Sequence, residues 1–536
     1  MAAEAEDSCD VAVIGAGISG LTAAALLSRA GLRVTVVESE AAIGGCIAGF
    51  QRKGFLFDTG IHWLNECGPD GFIHRLFSDL DPGYPKCRPL ARIRRIKSAS
   101  FDYLLTSEPD ALRDRLCRDF PEAAGGVRSL FAIGRKIAES VHQLSRGLRC
   151  WETMSLLEYG LYGLRMGYWS LPLFRHVGVP AEKGLRLLFR DSPVKDVFAS
   201  EEEMMGVLVP LGWAYAKNFQ MPPAGGSRAF ALWLQKRIEA SGSRVLLRHR
   251  VAKVLLEGGV AAGVVLAGGR TLRSRFVLAA CDVEALYERM LPPGAVPTDL
   301  LRRLHDADLY DSGFMVNMGL DCGAAALGFG EEMLTLFRED IPLSERVSGD
   351  PAKVNLCVMS SSVRDASVAP AGKGTLSIFC RARIDYMDHW RTGPGLERGP
   401  AYAAFKKEYA DALIARVERV MSLRLREHIE ALDIATPVTY WRYTGNRDGS
   451  IMGARPTMKN IKSKIAHFRT PVKNLLLAGH WADYGGGIPI AVKAAANTAL
   501  LILKDTVPAA YQRLRVLMDG AGSGTPISSR SGTGST

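Results

Sequence analysis

Asp10-Val11-Ala12-Val13-Ile14-Gly15-Ala16-Gly17-Ile18-Ser19-Gly20 is the stretch on which the reading of this 536-residue chain turns. A short apolar run of strand type enters a glycine-spaced turn, and an Ala/Leu-rich segment of helical character, residues 21–30, leaves it. Gly31 closes that helix, and residues 32–38 read as a second strand ending on Glu38, 18 positions after Gly20. Gly15 permits the tight turn, Gly17 lets the backbone approach a pyrophosphate, and Gly20 lets helix and strand pack closely. Ala16, Ile18 and Ser19 complete the turn, where the first amides of the helix face the phosphates. Glu38, with Ser39 beside it, would accept hydrogen bonds from ribose hydroxyls. Strand, turn, helix, strand and acid stand in register as a βαβ dinucleotide fingerprint, which a glycine-rich turn without a ligand does not require.

Outward from this unit, composition sets the class. Hydrophobic residues make up 47% and charged residues 23%, which excludes a disordered or collagen-like chain. The length fits about two to four domains. A formal charge of +11 admits polyanions or anionic membrane surfaces as partners. Apart from Arg92 to Lys97 the cations are scattered, with no basic stripe interleaved with aromatics, so nucleic acid is not expected. The acidic start lacks a secretory signal, and no apolar run reaches about 18 residues. None of the ten cysteines forms a CxxC pair, so a reducing, cytoplasmic setting and no metal site are expected. No repeat of about 20–50 residues is present.

Further along, Gly44-Gly45-Cys46 and residues 54–64, with Gly60-Ile61-His62-Trp63, are rich in glycine and aromatics. Helical spacing covers residues 109–120 and 127–148, and residues 151–190 interleave Trp151, Tyr159, Tyr162, Tyr168 and Trp169 with Arg165 and Arg175. Such a helix either lies in a membrane interface or packs on the core. Pro222 to Ser227 opens another helix; the strand runs 244–247, 251–256, 262–266 and 271–272 alternate with Gly-Gly turns, and a further strand covers 275–281. A second α+β region fills 300–450, with a long helix over 401–423 and an exposed helix end at His389-Trp390-Arg391. Near the end, the strand 474–479 runs into His480 to Pro489 and a small-residue helix; the Gly/Ser/Thr-rich tail, 520–536, is expected to be disordered.

Two glycine-rich strand-to-helix junctions more than 450 residues apart, with a Gly-Gly pair six residues after Glu38, resemble the two-domain flavoproteins that bind extended FAD. Gly44-Gly45-Cys46, residues 54–64, Pro223 to Gly226, Thr436-Pro437 through Asn446 with Gly449-Ser450, and Gly479 to Pro489 together resemble the phytoene desaturase, carotenoid cis-trans isomerase and retinol saturase family. The resemblance spans about residues 8–505, with 86–220 and 300–430 alike only in general character. It implies an α/β, Rossmann-like FAD-binding fold of the glutathione-reductase/amine-oxidase type with a discontinuous substrate domain. The FAD-binding domain would comprise 8–85, 221–300 and 450–505, and the substrate domain 86–220 and 301–449. Beyond the fingerprint residues, Gly44, Gly45, Cys46, Gly60, Ile61, His62, Trp63, Val251, Gly479, His480, Gly487 and Ile488 are implied cofactor contacts, with Gly487 and Ile488 facing the isoalloxazine and Val251 on the adenine side.

The implied activity is FAD-dependent desaturation or saturation of carbon–carbon bonds in a polyene, isoprenoid or acyl chain, hydride passing between carbon and flavin N5. A redox-neutral isomerase on reduced FAD is the close rival. A lipid-binding chaperone of the GDP-dissociation-inhibitor type is a distant one, since it predicts a degraded phosphate bed. The stretches above resemble the polyene enzymes more than amine oxidases. His62, His480 and Asp483 are the candidate acid, base or positioning groups; a buried structural histidine is the alternative for His62. Arg442 and Tyr443 form a loop clamp with Asn446, and Arg442 is suited to a carboxylate or acyl head group. The expected partners are a hydrophobic or lipid-like substrate and a peripheral membrane contact; the electron partner is unassigned.

Overall fold

The computed structural model describes residues 7–60, 63–146 and 148–520. Ile61, His62 and the tail beyond Gly520, all singled out above, lie outside the described residues.

The opening fingerprint becomes the centre of a seven-stranded sheet, ordered Val251–Glu257, Val260–Leu266, Thr271–Ala279, Asp7–Ile14, Val34–Val37, Arg244–Leu246, with Leu475–Leu477 also pairing with Thr271–Ala279. Its middle is parallel, Val11 to Ile14 standing opposite Val34 to Val37 on one side and Phe276 to Ala279 on the other. These valine-rich strands are buried on both faces, as a parallel sheet covered by helices requires. The helix Ile18–Arg29 is buried along all but its last residue, packed between Gly487–Thr506 and Arg228–Ala240, so its apolar residues need no single stripe.

Residues 271–279 are one strand and not two, and the strand ends before Ala280 and Cys281. Thr271–Ala279 pairs antiparallel with Val260–Leu266 through Thr271 to Arg273 and parallel with Leu475–Leu477 through Val277 to Ala279. The polar Arg273 and Ser274 that interrupt its apolar pattern mark the change of neighbour.

A second sheet is ordered Ile429–Ala435, Ser312–Leu320, Gly374–Ala382, Leu356–Met359, Met333–Leu336, Arg92–Lys97, Asp102–Thr106. Alternation gives it two different faces. Phe314, Val316, Met318, Leu376 and Ile378 meet the helix Pro400–Met421 in a dry core, whereas Met315, Asn317, Ser377 and Met359 lie on the opposite side. Trp390 corrects the expectation of an exposed helix end. Met387 to Arg391 all take positive φ, which turns the indole into the core, stacked on Phe314 at 5.3 Å and donating to the Arg383 carbonyl at 2.9 Å.

The segment of ambiguous character, Leu156–Phe174, is a helix with no buried residue. Tyr162, Arg165, Met166, Trp169 and Leu173, at helical spacing, are half-buried, and the helix packs against Ala124–Leu144. The rest of its surface is bare: Leu156 is 92%, Leu157 74%, Leu164 74% and Tyr168 65% exposed. Among the described residues one helix, Gly487–Thr506, is long and apolar enough to cross a membrane, but it is mostly buried, as a core helix is.

Candidate functional site

Gly15 has φ +99°, and a Cβ there would sit 2.8 Å from the Ala280 carbonyl oxygen. A Cβ on Gly20 would come within 2.0 Å of the Gly15 oxygen, whereas a Cβ on Gly17 would meet nothing within 4 Å. The turn is therefore closed on the protein side and open at Gly17, at the N-terminus of Ile18–Arg29, where donor amides converge. Gly44 bonds to Ala16 (N to O, 2.8 Å) and carries Gly45 and Cys46 onto the same opening; a Cβ on Gly45 would lie 3.3 Å from Gly17 Cα.

Glu38 stands at the mouth of the turn. One carboxylate oxygen accepts from the Ala16 amide at 2.8 Å and the other from the Glu40 amide at 2.9 Å and the Ser39 hydroxyl at 3.2 Å. A carboxylate offers about four lone-pair sites, so acceptor capacity remains. The His249 amide donates to the Glu38 carbonyl at 2.8 Å, which brings the start of the strand Val251–Glu257 alongside Glu38; Val251 itself is 6% exposed.

The C-terminal junction closes on this turn although Ser19 and Gly479 are 460 residues apart: a Cβ on Gly479 would lie 3.1 Å from Ser19 Oγ. Leu475–Leu477 enters the sheet, and Thr498 of the following helix donates to the Leu477 carbonyl at 2.6 Å, fixing Gly487 and the buried Ile488 at the helix N-terminus. Between them, the ring of His480 lies against Gly453, and burial pushes its pKa down to about 4. The imidazole is therefore neutral at pH 7. Among the described residues its Nε2 and the Trp481 indole N–H are buried without a hydrogen-bond partner. Asp483 accepts from the Tyr484 amide and pairs with Lys493 Nζ, both at 2.8 Å. Burial opposes the Lys493 charge, but Asp483 more than offsets it and holds the ammonium above its ordinary pKa. Tyr162, from the inner face of the bare apolar helix, is close enough to feel both charges.

Cys46 is exposed to solvent, and the protein packed around it raises its thiol pKa. Its carbonyl accepts from Thr59 at 2.6 Å, one residue before the exposed Gly60; half-buried Trp63 packs edge-on against Phe219. Tyr440 reaches the Thr59 carbonyl at 3.5 Å. Arg442 and Tyr443 sit not in a loop but on the helix Pro437–Thr444, because Thr436 and Thr439 form a capping box and Pro437 occupies the first turn. Both are exposed, the guanidinium 5.1 Å over the tyrosine ring, while Asn446 is buried and donates to the Ser450 carbonyl.

Asp58, Arg364, Tyr440 and Lys493 were not singled out in the sequence. Asp58 and Tyr440 lay inside quoted motifs; Arg364 and Lys493 follow no spacing rule. Asp321, Cys322 and His428 also bring ligand-type atoms within 4.8 Å at an exposed edge, without the sequence spacing by which metal sites are recognised.

An extended dinucleotide fits this arrangement. The cleft offers an open glycine turn, a carboxylate at its mouth, a second helix N-terminus and two buried polar atoms without partners.

Residues 18–320, more than half of the chain, match the family described as flavin containing amine oxidoreductase. The chain is 24% identical over 531 residues to an all-trans-retinol 13,14-reductase of Danio rerio, covering 89% of this chain and 83% of that one. It is 23% identical over 518 residues to a 4,4'-diapophytoene desaturase (4,4'-diapolycopene-forming) of Methylomonas sp, covering 92% and 94%. A cyclohexylamine oxidase from Brevibacterium oxydans shares the fold at TM-score 0.55 and 18% identity, over 92% of this chain and 99% of that one. Sequence and fold together make the chain a distant member of the flavin-containing amine oxidoreductase family, in the superfamily that includes the phytoene desaturases.

Proposed function

We propose that this protein is an FAD-dependent oxidoreductase that desaturates or saturates carbon–carbon bonds of a hydrophobic polyene, isoprenoid or acyl chain, taken from a lipid surface. The observation that carries the proposal is the helix Leu156–Phe174, bare and apolar on its outer side, whose inner Tyr162 lies close enough to the Lys493–Asp483 pair of the second glycine junction to feel both charges. A soluble amine needs no such surface; a lipid-like substrate does. The full-length similarity to an enzyme named for retinol and to one named for diapophytoene supports the same substrate class.

In this reading residues 8–85, 221–300 and 450–505 hold the cofactor, and 86–220 with 301–449 hold the substrate. FAD supplies the hydride acceptor or donor when bound. Glu38 and Ser39 orient the ribose; Gly15 to Gly20, Gly44 and Gly45 receive the pyrophosphate; the N-terminus at Gly487 and Ile488 favours negative charge on the ring. His480, neutral across the physiological range, positions through a hydrogen bond and does not carry charge. Asp483 keeps Lys493 charged beneath the apolar helix. Cys46, Thr59, Gly60, Trp63 and Tyr440 gather beside the reacting carbons.

The protein works in the cytoplasm, held to membranes by the apolar helix and by attraction of its net positive charge to anionic lipid. Sedimentation of the full chain with anionic vesicles tests the docking. Binding at low salt that weakens as salt rises agrees with it, because screening shortens the reach of surface charge; a protein that stays in the supernatant at low salt contradicts it.

A further inference from the structure

Asp321 and Cys322 follow directly on the strand Ser312–Leu320, and His428 directly precedes Ile429–Ala435, its partner at the edge of the second sheet. The two strands run antiparallel, so these ends lie side by side. Gly319 stands opposite Ala431 and Leu320 opposite Ile429, which makes Glu430 the extra residue of a bulge and re-aims the residues beyond it. The ladder then continues one step, the Asp321 amide donating to the His428 carbonyl at 3.0 Å. Ligand-type atoms of Asp321, Cys322 and His428 thereby come within 4.8 Å of one another, and His428 Nδ1 lies 2.8 Å from an Asp321 carboxylate oxygen. Cysteine spacing could not announce the group, because its members come from two strands that meet only in space.

The backbone that carries them is held from several sides. Cys322 runs into the turn Ala324–Leu327, whose Ala324 is buried. His428 closes the turn Leu425–His428, whose Leu425 is buried. From the strand on the other side, a Cβ on Gly374 would lie 2.8 Å from the Cys322 carbonyl oxygen and 2.6 Å from the Ala324 nitrogen, so that strand presses against the Cys322 backbone. The side chains keep the freedom that the backbone lacks: that of Asp321 is 44% and that of His428 34% exposed. The charged neighbours are engaged elsewhere, Glu430 with Lys373 at 2.5 Å, Arg424 with Glu427 at 3.2 Å and Arg426 with Glu418 at 2.5 Å. A carboxylate offers about four lone-pair sites, so Asp321 has acceptors to spare beyond His428.

We propose that Asp321, Cys322 and His428 form a three-ligand site for Zn²⁺, with one position left open to water. The proposal is independent of the lipid-substrate reading. Around zinc, sulfur sits at about 2.3 Å and nitrogen and oxygen at about 2.0–2.2 Å, so tetrahedral ligand atoms stand roughly 3.4–3.6 Å apart, and side-chain rotation by about an ångström brings the three atoms to that shell. One thiolate, one imidazole and one carboxylate suit zinc better than Mg²⁺ or Ca²⁺, which take oxygen ligands. On binding, the thiol proton leaves to solvent, and the charges of thiolate and carboxylate balance that of the cation. The bound ion ties the edge strand to its neighbour at the end opposite Thr436 and the helix Pro437–Thr444.

The test uses the full-length protein without a histidine tag, dialysed against a chelator and titrated with CoCl2 and then ZnCl2. Co²⁺ is expected to bind one to one and to give a thiolate-to-metal absorption band that ZnCl2 removes and MgCl2 does not. Cys322→Ser should lose the band. His428→Ala and Asp321→Asn should each weaken binding at least ~10-fold, since even groups that only support a metal's ligands are worth about 10–100-fold. Should a variant fail to fold, as its melting curve would show, the unmodified protein decides: ZnCl2 should slow alkylation of Cys322, read by peptide mass, and leave the rate at the exposed Cys46 unchanged. A cobalt band that survives Cys322→Ser at full strength, an affinity unchanged in His428→Ala or Asp321→Asn, or alkylation of Cys322 indifferent to zinc overturns the site.

Discussion

Gly17 and Gly20 are both glycines of one turn, yet they do different work. Gly20 is needed for the protein to close on itself, because a Cβ there would lie 2.0 Å from the Gly15 oxygen; Gly17 has open space in front of it. Gly17→Val should therefore fold normally and lose most of its flavin, which a flavin-to-protein ratio measured alongside a melting curve checks. Retention of full flavin would remove the turn from the cofactor bed. Asp282 offers a second residue-scale prediction. It caps the Ala285 amide at 2.8 Å, its other oxygen is buried without a partner among the described residues, and burial raises its pKa to about 6 from the ordinary 3.8. A carboxyl with a raised folded pKa costs nothing below the unfolded value, and its cost grows until the pH passes the folded one. A shift of about two units corresponds to ~3 kcal/mol. Asp282→Asn, which keeps a capping oxygen, should thus stabilise the protein at pH 8 and bring little at pH 4, as denaturant midpoints at the two values would show. A loss of stability at both contradicts the assignment. Glu38 was legible from its place 18 residues after Gly20. Asp282 and Arg364 were not, since their character comes from what surrounds them in space and no spacing encodes it.

Among elements, Leu156–Phe174 has the largest consequence. Its outward leucines touch nothing that folding requires, so Leu157→Glu with Leu164→Glu should leave the melting temperature nearly unchanged. The same pair should abolish sedimentation with anionic vesicles; undiminished sedimentation would mean that another surface docks. The helix itself was legible, with its aromatics and arginines, but its exposure was not, because periodicity cannot distinguish an apolar face turned to the core from one turned outward. Nearby, Asp483→Asn removes the partner of a lysine whose side chain is 23% exposed. The loss of stability should approach the low end of the ~3–5 kcal/mol typical of a broken buried pair, the residual exposure screening the rest. Lys493→Met with Asp483→Leu should recover much of it. Two element boundaries escaped the sequence for identifiable reasons. Thr271–Ala279 changes neighbours in mid-strand, and Met387 to Arg391 adopt positive φ, which side-chain pattern does not announce.

At the scale of the whole molecule, the two sheets divide the labour. The parallel sheet, buried on both faces, gathers two glycine-rich junctions from opposite ends of the chain, and its α/β architecture was readable because glycine spacing, strand character and the terminal acid reinforce one another. The second sheet was readable only as an α+β region: its side turned away from the helix Pro400–Met421 is a mixture of Met, Asn and Ser that carries no motif. The central claim joins the two, a flavin bed beneath an entrance for a lipid-like chain. The measurement that tests it most directly is anaerobic mixing of the purified, flavin-loaded protein with a polyene substrate, following the flavin spectrum and the mass of the product together. The account predicts that flavin oxidation state and product mass change in step, the product differing from the substrate by one dihydrogen. A product of unchanged mass formed only on reduced flavin would make the protein an isomerase, and a flavin that responds to amines but to no polyene would contradict the account outright.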